Sequence, residues 1–290
     1  GNYVYWSENA STGSGYIKMV SVGGGTVYTI ANSNTWGYYN GIRGLAVDSS
    51  GVYWAVSGNN SSGTDGAIMK LSGVPVDNPA LLALTAPTIL ANGLINAKGI
   101  AIDNNDVYWI EPYTAVKKVN KNGGSVTILT SGSVEYSGIA VDATNVYFGV
   151  WNGNIYKVPL GGGSSTNIGG GMSSDFIAID SNYVYYTNVW GGSVGKVSKD
   201  GAGSGILYSG EYGGSWGIAV DETAIYWTTC PTCYAPSTGA VKKITKDLNS
   251  DTTPPTADIF SINSNATYTN STSVILTLSA SDSSGVSQMC

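Results

Sequence analysis

One short motif recurs six times along the chain and decides what the chain can fold into. The motif is Val-Tyr-Trp or a close variant, and consecutive copies begin 38 to 55 residues apart. The copies start at Val4, Val52, Val107, Val146, Val184 and Ile225. Repetition at such a period indicates an architecture in which one small structural unit is copied along the chain.

Two further motifs accompany this triplet. Ahead of every copy except the first lies Gly-Ile-Ala-Val-Asp or a variant, which ends at Asp48, Asp103, Asp142, Asp180 and Asp221. Behind each copy lies a largely apolar segment that carries a lysine, at residues 17–20, 68–71, 116–119, 155–158, 194–197 and 241–244. A glycine-rich turn and a short apolar run usually follow. Each unit therefore predicts four short strands, which we call A, B, C and D in chain order.

Four-stranded units of roughly 40–45 residues are typical of the blades of a β-propeller. The alanine at the centre of strand A suits an inner strand crowded around an axis. The aspartate that ends strand A enters a tight turn, where a carboxylate can accept backbone N–H bonds. No segment has a convincing helical stripe free of glycine. The sequence thus predicts an all-β fold, with a six-bladed β-propeller over residues 1–249.

Four of the triplets extend into a longer pattern. Residues 5–8, 108–111, 185–188 and 226–229 read Tyr-Trp-Ser-Glu, Tyr-Trp-Ile-Glu, Tyr-Tyr-Thr-Asn and Tyr-Trp-Thr-Thr, and they look like degenerate YWTD motifs. Over about residues 1–248 the chain resembles six-bladed propellers of the YWTD and NHL type. The resemblance implies a platform that binds proteins or ligands, in a family with a minority of enzymes.

The strand count leaves the ring two strands short. Six B and six C strands accompany five A strands, because the first unit begins at Asn2 without one, and residues 246–250 make a poor sixth D strand. A propeller that lacks them has bare sheet edges. We expect the missing strands to come from sequence upstream of Gly1, with the tail as an alternative source of one.

The sequence changes character after the sixth unit. Residues 250–255 predict a linker, and residues 256–290 resemble the opening strands of a bacterial Ig-like domain, with strands near 257–260 and 274–280. A complete sandwich of this kind needs about 100 residues. Either the domain continues past Cys290, or the tail adds its strands to another subunit and mediates self-association.

Composition excludes several classes of function. The chain has no histidine, which removes Ser-His-Asp and Cys-His catalysis and imidazole-ligated zinc. Its net charge of −6 argues against nucleic-acid binding, and no apolar run approaches the roughly 18 residues of a membrane span. Low charge with abundant Ser, Thr, Gly and Asn favours a secreted or cell-surface protein. Cys230 and Cys233 favour a local disulfide, with a redox motif or half a metal site as alternatives.

Aromatic residues concentrate in the B–C and D–A connections, which open on one side of the ring. We call this side the aromatic face. Its predicted ligand-binding residues are Trp36, Tyr39, Arg43, Lys98, Tyr113, Tyr136, Trp151, Asp175, Trp190 and Trp216. Tyrosine and tryptophan anchor interfaces and stack on sugar rings. For any single residue, packing onto its own blade is the plain alternative.

The leading functional prediction is a non-catalytic propeller that binds an extracellular protein or polysaccharide and needs no cofactor. The alternative is a lactonase-like hydrolase with a divalent ion such as Ca²⁺ at the channel mouth, held by Glu111, Glu135, Asp175 and Glu211. A third possibility is a subunit of an extracellular fibre that assembles through its tail. The aspartates and lysines that recur once per blade are expected to serve the repeat.

Overall fold

The computed structural model describes residues 2–9, 15–32, 41–57, 65–73, 86–132, 138–150, 153–170, 176–210, 214–229 and 239–246, and the backbone of 256–262 and 276–281. All regular elements in these residues are β-strands. The chain divides into two compact units, Gly1–Ile244 and Thr245–Cys290. The described part of the chain contains no helix long and apolar enough to span a bilayer.

The first unit folds into six small antiparallel sheets, which confirms the predicted all-β, six-bladed propeller. The first sheet contains β1 (Tyr3–Asn9), β2 (Gly15–Ser21) and β3 (Tyr28–Asn32). The second contains β4 (Ile42–Asp48), β5 (Gly51–Val56), β6 (Gly66–Ser72) and β7 (Thr88–Leu94). The third contains β8 (Lys98–Ile102), β9 (Asp106–Glu111), β10 (Ala115–Asn120) and β11 (Thr127–Ser131).

The remaining three sheets continue the same pattern. The fourth contains β12 (Ile139–Val141), β13 (Asn145–Gly149), β14 (Asn154–Pro159) and β15 (Thr166–Gly170). The fifth contains β16 (Phe176–Ile179), β17 (Tyr183–Asn188), β18 (Ser193–Ser198) and β19 (Ser204–Tyr208). The sixth contains β20 (Ser215–Val220), β21 (Ala224–Thr229) and β22 (Ala240–Thr245). In the second unit, β23 (Thr256–Ile262) pairs antiparallel with β24 (Leu276–Ser281).

Strand order within each complete sheet follows the chain, from A at the inside to D at the outside. The A strands β4, β8, β12, β16 and β20 pack side by side in that order. They therefore line the axis of the propeller. The alanine of each A strand faces the tyrosine of its B strand, as in the pair Ala140 and Tyr147. Its small side chain lets the inner strands approach closely.

The core lies between the sheets. Among the described residues, five apolar clusters each join two neighbouring sheets. Ile17 and Met19 of the first sheet, for example, pack with Trp54 and Met69 of the second. Each such large side chain contributes about 1.5–3 kcal/mol when fully buried. The B and C strands thus present apolar side chains on both faces of a sheet, and these side chains pack against the neighbouring sheets.

The first and sixth sheets each have three strands among the described residues, as the strand count predicts. In the part of the chain that the structure describes, β1 has no A strand beside it, and Val4 is 50% exposed where Val52 on the equivalent strand β5 is 0% exposed. No described strand lies beside β22 on its outer side, and Val241 is 73% exposed. Both edges leave apolar surface that the complete sheets bury.

The recurring aspartates organise the turn after each A strand. Asp103 Oδ1 accepts the N–H groups of Asn105 and Asp106 at 2.7 and 2.8 Å, which confirms the predicted turn. Its other oxygen, Oδ2, accepts the hydroxyl of Tyr108 at 2.6 Å. The same carboxylate–tyrosine bond occurs in the fourth, fifth and sixth sheets. It ties strand A to strand B.

Lysines connect neighbouring sheets. Lys121, just after β10, forms an ion pair with Asp48 of the second sheet. Lys70 on β6 donates to the backbone carbonyl of Lys121 at 3.2 Å. Two lysines therefore join the second sheet to the third. Lys157 donates in the same way to the carbonyl of Lys199, at 2.8 Å. The lysines that recur on strand C therefore include two that hold adjacent blades together.

Candidate ligand-binding face

Antiparallel pairing places the B–C turns and the starts of the A strands at the same edge of each sheet. Tyr113 and Trp190 lie in B–C turns, and Arg43, Lys98 and Trp216 lie at the starts of A strands. The structure thus brings five of the predicted residues to the aromatic face. The other five, Trp36, Tyr39, Tyr136, Trp151 and Asp175, lie outside the described residues.

Trp190 is presented by a turn that Asn188 builds. The buried Asn188 side chain accepts the N–H groups of Trp190 and Gly191 through Oδ1, at 3.0 and 2.7 Å. A Cβ at position 191 would overlap the Asn188 side-chain amide, so the turn requires glycine there. Trp190 is 81% exposed. A turn fixed by two hydrogen bonds therefore presents a large aromatic residue to solvent.

Trp216 lies on a backbone segment next to that turn. Gly214, two residues ahead of it, has a φ of +99°, and a Cβ there would overlap the carbonyl oxygen of Val189. Only glycine allows this approach between the segment entering β20 and the turn that carries Trp190. The partly exposed Trp216 ring lies 6.3 Å from the ring of Phe176 on β16, centroid to centroid. Two tryptophans from neighbouring sheets thus sit on adjoining segments.

Tyr113 occupies an unusual conformation in the turn between β9 and β10. Its φ is +64°, in the left-handed region that residues with a Cβ rarely adopt, and 66% of it is exposed. Thr114 stabilises the turn, because its hydroxyl donates to the carbonyl of Glu111 at 2.8 Å. The strain is roughly 1–2 kcal/mol.

A basic pair lies at the starts of the second and third A strands. Arg43 Nε donates to Ser57 Oγ at 3.4 Å. Burial lowers the pKa of the half-buried Lys98 amine, and the positive charge of Arg43 lowers it further. The two cations are therefore close enough to repel each other, although the whole chain is acidic. An anionic group on a ligand would relieve that repulsion.

Glu111, one of the four candidate metal ligands, is buried in an ion pair. Its Oε1 accepts Trp109 Nε1 at 3.1 Å and lies 2.9 Å from Lys117 Nζ, and its Oε2 accepts the N–H of Ile95 at 3.3 Å. Glu8 makes the same contacts with Trp6 and Lys18 in the first sheet. This Trp–Glu–Lys arrangement was missed from the sequence, because it depends on pairing between strands B and C.

The other three acids, Glu135, Asp175 and Glu211, lie outside the described residues, as do Cys230 and Cys233. In the ranges that the structure describes, no three Cys, Asp or Glu side chains come together as a metal site. The five candidate ligand-binding residues that the structure places on the aromatic face are therefore three aromatic and two basic residues.

No protein-family model and no curated protein sequence matches the chain. Solved structures do resemble it in fold. A chain of the nidogen/laminin complex superposes with a TM-score of 0.58 at 17% identity, over 78% of this chain and 84% of that one. Streptogramin B lyase gives 0.54 at 12% identity, over 78% and 80%. A computationally designed protein gives 0.52 at 17% identity, over 79% and 78%. The chain is thus a β-propeller protein.

Proposed function

We propose that this propeller is a non-catalytic binding protein, secreted or displayed at a cell surface, whose aromatic face takes an extracellular protein or polysaccharide. The observation that carries the proposal is Trp190, 81% exposed on a turn fixed by Asn188. Through the contact of Gly214 with Val189, that turn adjoins the segment carrying Trp216.

Single exposed apolar residues are ordinary on protein surfaces. Here, however, exposed aromatic residues recur in three of the sheets at one edge, and the turn carrying Trp190 is held by two hydrogen bonds to Asn188. Preorganised aromatic anchors bind with little loss of side-chain entropy, and tryptophan is prominent among residues that dominate interfaces. The strained Tyr113 is consistent with a residue kept for recognition, since strained conformations cluster at functional sites.

The fold also occurs in an enzyme, streptogramin B lyase. We favour binding over catalysis because Glu111 is already engaged by Trp109, Lys117 and the N–H of Ile95. The nidogen/laminin structure is that of a complex between proteins, which accords with a binding role for this fold.

The experiment is a binding screen of the purified chain against an oligosaccharide array and an array of extracellular protein domains. Any hit is titrated with the wild type and with the variants Trp190→Ala, Trp216→Ala and Ile206→Ala. Ile206 is a matched control, because it is exposed on the outer strand of the same sheet as Trp190. Each tryptophan variant should bind about 10-fold or more weakly, and the control should bind like the wild type. Equal binding by all four proteins would disprove the proposal.

A further inference from the structure

The A strands of the second and third sheets come very close together where they begin. A Cβ placed on Gly44 of β4 would lie 3.0 Å from the carbonyl carbon of Gly99 and 3.0 Å from the backbone nitrogen of Ile100 on β8. Glycine at position 44 therefore allows the two backbones to approach. Arg43 and Lys98 directly precede the two glycines. The fold thus brings two cationic residues together at the inner edge of the aromatic face.

Both residues lie where the strand pairing is irregular. In the second sheet the register shifts between Ile42 and Gly44, so Arg43 lies in a β-bulge. In the third sheet the register shifts between Lys98 and Ile100, directly after the lysine. Bulges redirect side chains and are over-represented next to functional sites. The start of each strand therefore departs from the regular ladder at the cationic residue.

Neither cation is neutralised by a carboxylate in the part of the chain that the structure describes. Five ion pairs are present there, and neither Arg43 nor Lys98 takes part in one. The exposed Arg43 uses one of its five guanidinium donors on Ser57 Oγ. Glu111 belongs to β9, which pairs with β8, but it is already engaged by Lys117 at 2.9 Å. Two positive charges therefore share one place without a counter-charge.

The chemistry of the two side chains suits a carboxylate. The planar guanidinium of arginine can bind a carboxylate through two parallel N–H donors, and lysine adds a compact positive charge. Burial and the neighbouring charge of Arg43 both lower the pKa of Lys98, and a bound carboxylate would offset both effects. The chain as a whole carries a net charge of −6, so an anion is recognised by this local pair rather than by long-range attraction.

We propose that Arg43 and Lys98 form a carboxylate subsite, and that the ligand of the aromatic face is an acidic polysaccharide built from uronic acids. The inference rests on the proposed function and names the class of ligand for the same face. A uronic acid carries a carboxylate and an apolar ring face in one unit. The aromatic face offers the matching groups, because the cations lie at the same edge of the sheets as the exposed Trp190 and Trp216.

The test titrates the full chain with oligosaccharides from polygalacturonate, alginate and hyaluronan, and with the same oligosaccharides after their carboxyl groups are reduced to alcohols. Calorimetry measures each Kd. At least one acidic oligosaccharide should bind about 10-fold more tightly than its reduced form, since hydrogen bonds to a charged group are at stake. Arg43→Gln and Lys98→Gln should each remove most of this preference. Lys243→Gln is the matched control, because Lys243 is exposed in the middle of β22, and it should keep the preference.

Trp190→Ala separates this inference from the proposed function. This variant should bind the acidic and the reduced oligosaccharide more weakly and keep the preference between them. If it does so while Arg43→Gln and Lys98→Gln also keep the preference, the carboxylate subsite is wrong and the aromatic face stands. If Trp190→Ala binds like the wild type while the other two lose the preference, the subsite stands and the role of the aromatic residue is wrong.

Poly-L-glutamate tests an acidic protein as the alternative ligand. Tighter binding of this polymer than of every uronate oligosaccharide would overturn the assignment to a polysaccharide. Equal binding of the acidic and reduced oligosaccharides by the wild type, or no binding of either, would overturn the carboxylate subsite. Both glutamine variants should keep the wild-type Tm, because each removes one charge from a repelling pair, so a loss of binding is not a loss of fold.

A further measurement needs no ligand. An NMR titration of the lysine side chains should give Lys98 a pKa below the ordinary value, and Arg43→Gln should raise it, since the variant removes a neighbouring positive charge. An unchanged pKa in the variant would show that the two charges do not share a site and would refute the proposal.

Discussion

Lys199 Nζ lies 2.8 Å from Asp142 Oδ2, and this ion pair joins the fifth sheet to the fourth. The same amine lies 5.1 Å from the centre of the Tyr147 ring, and the hydroxyl of Tyr147 donates to the same carboxylate oxygen at 2.9 Å. One carboxylate therefore fastens its own B strand and the next blade. Both partners are largely buried, so this contact is expected to matter for stability.

Lys199→Met should lower the free energy of unfolding by about 1–2 kcal/mol, because it removes a charge-assisted hydrogen bond from a mostly buried carboxylate. Urea denaturation measures the change. Lys18→Met is the matched control, since Lys18 pairs with Glu8 within one sheet and that pair is more exposed. It should cost clearly less, because solvent screens an exposed ion pair. Equal losses of unfolding free energy in the two variants would show that the contact of Lys199 with the fourth sheet does not stabilise the fold more than an exposed ion pair does.

Acid should weaken the fold through Asp142. Burial opposes its ionisation, but bonds from Lys199, from the N–H groups of Thr144 and Asn145 and from Tyr147 outweigh burial and hold its pKa well below the usual value. A folded-state pKa below the unfolded value of about 3.9 gives stability that is present above that pH and lost as the pH falls. Tm should therefore drop steeply below about pH 4. The Asp142→Asn variant should have a lower Tm at neutral pH, and its Tm should fall less steeply as the pH drops below about 4. An unchanged slope of Tm against pH would contradict this account.

Alkali should act through the buried phenols. Burial raises the pKa values of Tyr108, Tyr147 and Tyr185, and each hydrogen bond to an aspartate raises them further. A raised folded-state pKa gives stability that is complete below the unfolded value of about 10 and lost as the pH rises. In a spectrophotometric titration these phenols should ionise only as the protein unfolds. The Tyr147→Phe variant should have one fewer phenol that ionises only on unfolding. Ionisation of every phenol in the folded state would refute the prediction.

Gly214→Ala should disturb the turn that carries Trp190. The substitution strains a φ of +99° and also drives a Cβ into the carbonyl oxygen of Val189. Gly210→Ala isolates the first effect, because Gly210 has the same φ of +99° and open space around it. Both variants should lose about 1 kcal/mol from backbone strain, and Gly214→Ala should lose a further 1–3 kcal/mol. Tryptophan fluorescence should change in Gly214→Ala alone. Identical behaviour would mean that the approach to Val189 is unimportant.

The sequence predicts those features of the propeller that repeat. The six sheets, the strand order and the incomplete first and sixth sheets all follow from motifs copied along the chain. The bond from Tyr108 to Asp103 could also have been inferred, because the same five-residue spacing recurs in every complete blade. The contact between Lys121 and Asp48 could not, since it joins residues 73 positions apart and the lysine is absent after some blades. The turn built by Asn188 is local, but it occurs once and so leaves no periodic signal.

The contact between the third and fourth sheets differs from the contacts that lysines make between other sheets. Leu160 follows β14 in the position that Lys121 and Lys199 hold after their strands, and it packs in the apolar cluster between the third and fourth sheets. Concentrated salt screens ion pairs, whereas strongly excluded salts such as sulfate strengthen apolar burial. Salt that screens ion pairs should therefore weaken the contacts made by Lys121 and Lys199 relative to the contact made by Leu160. The order in which the blades separate during unfolding is then set by the solvent as well as by the chain.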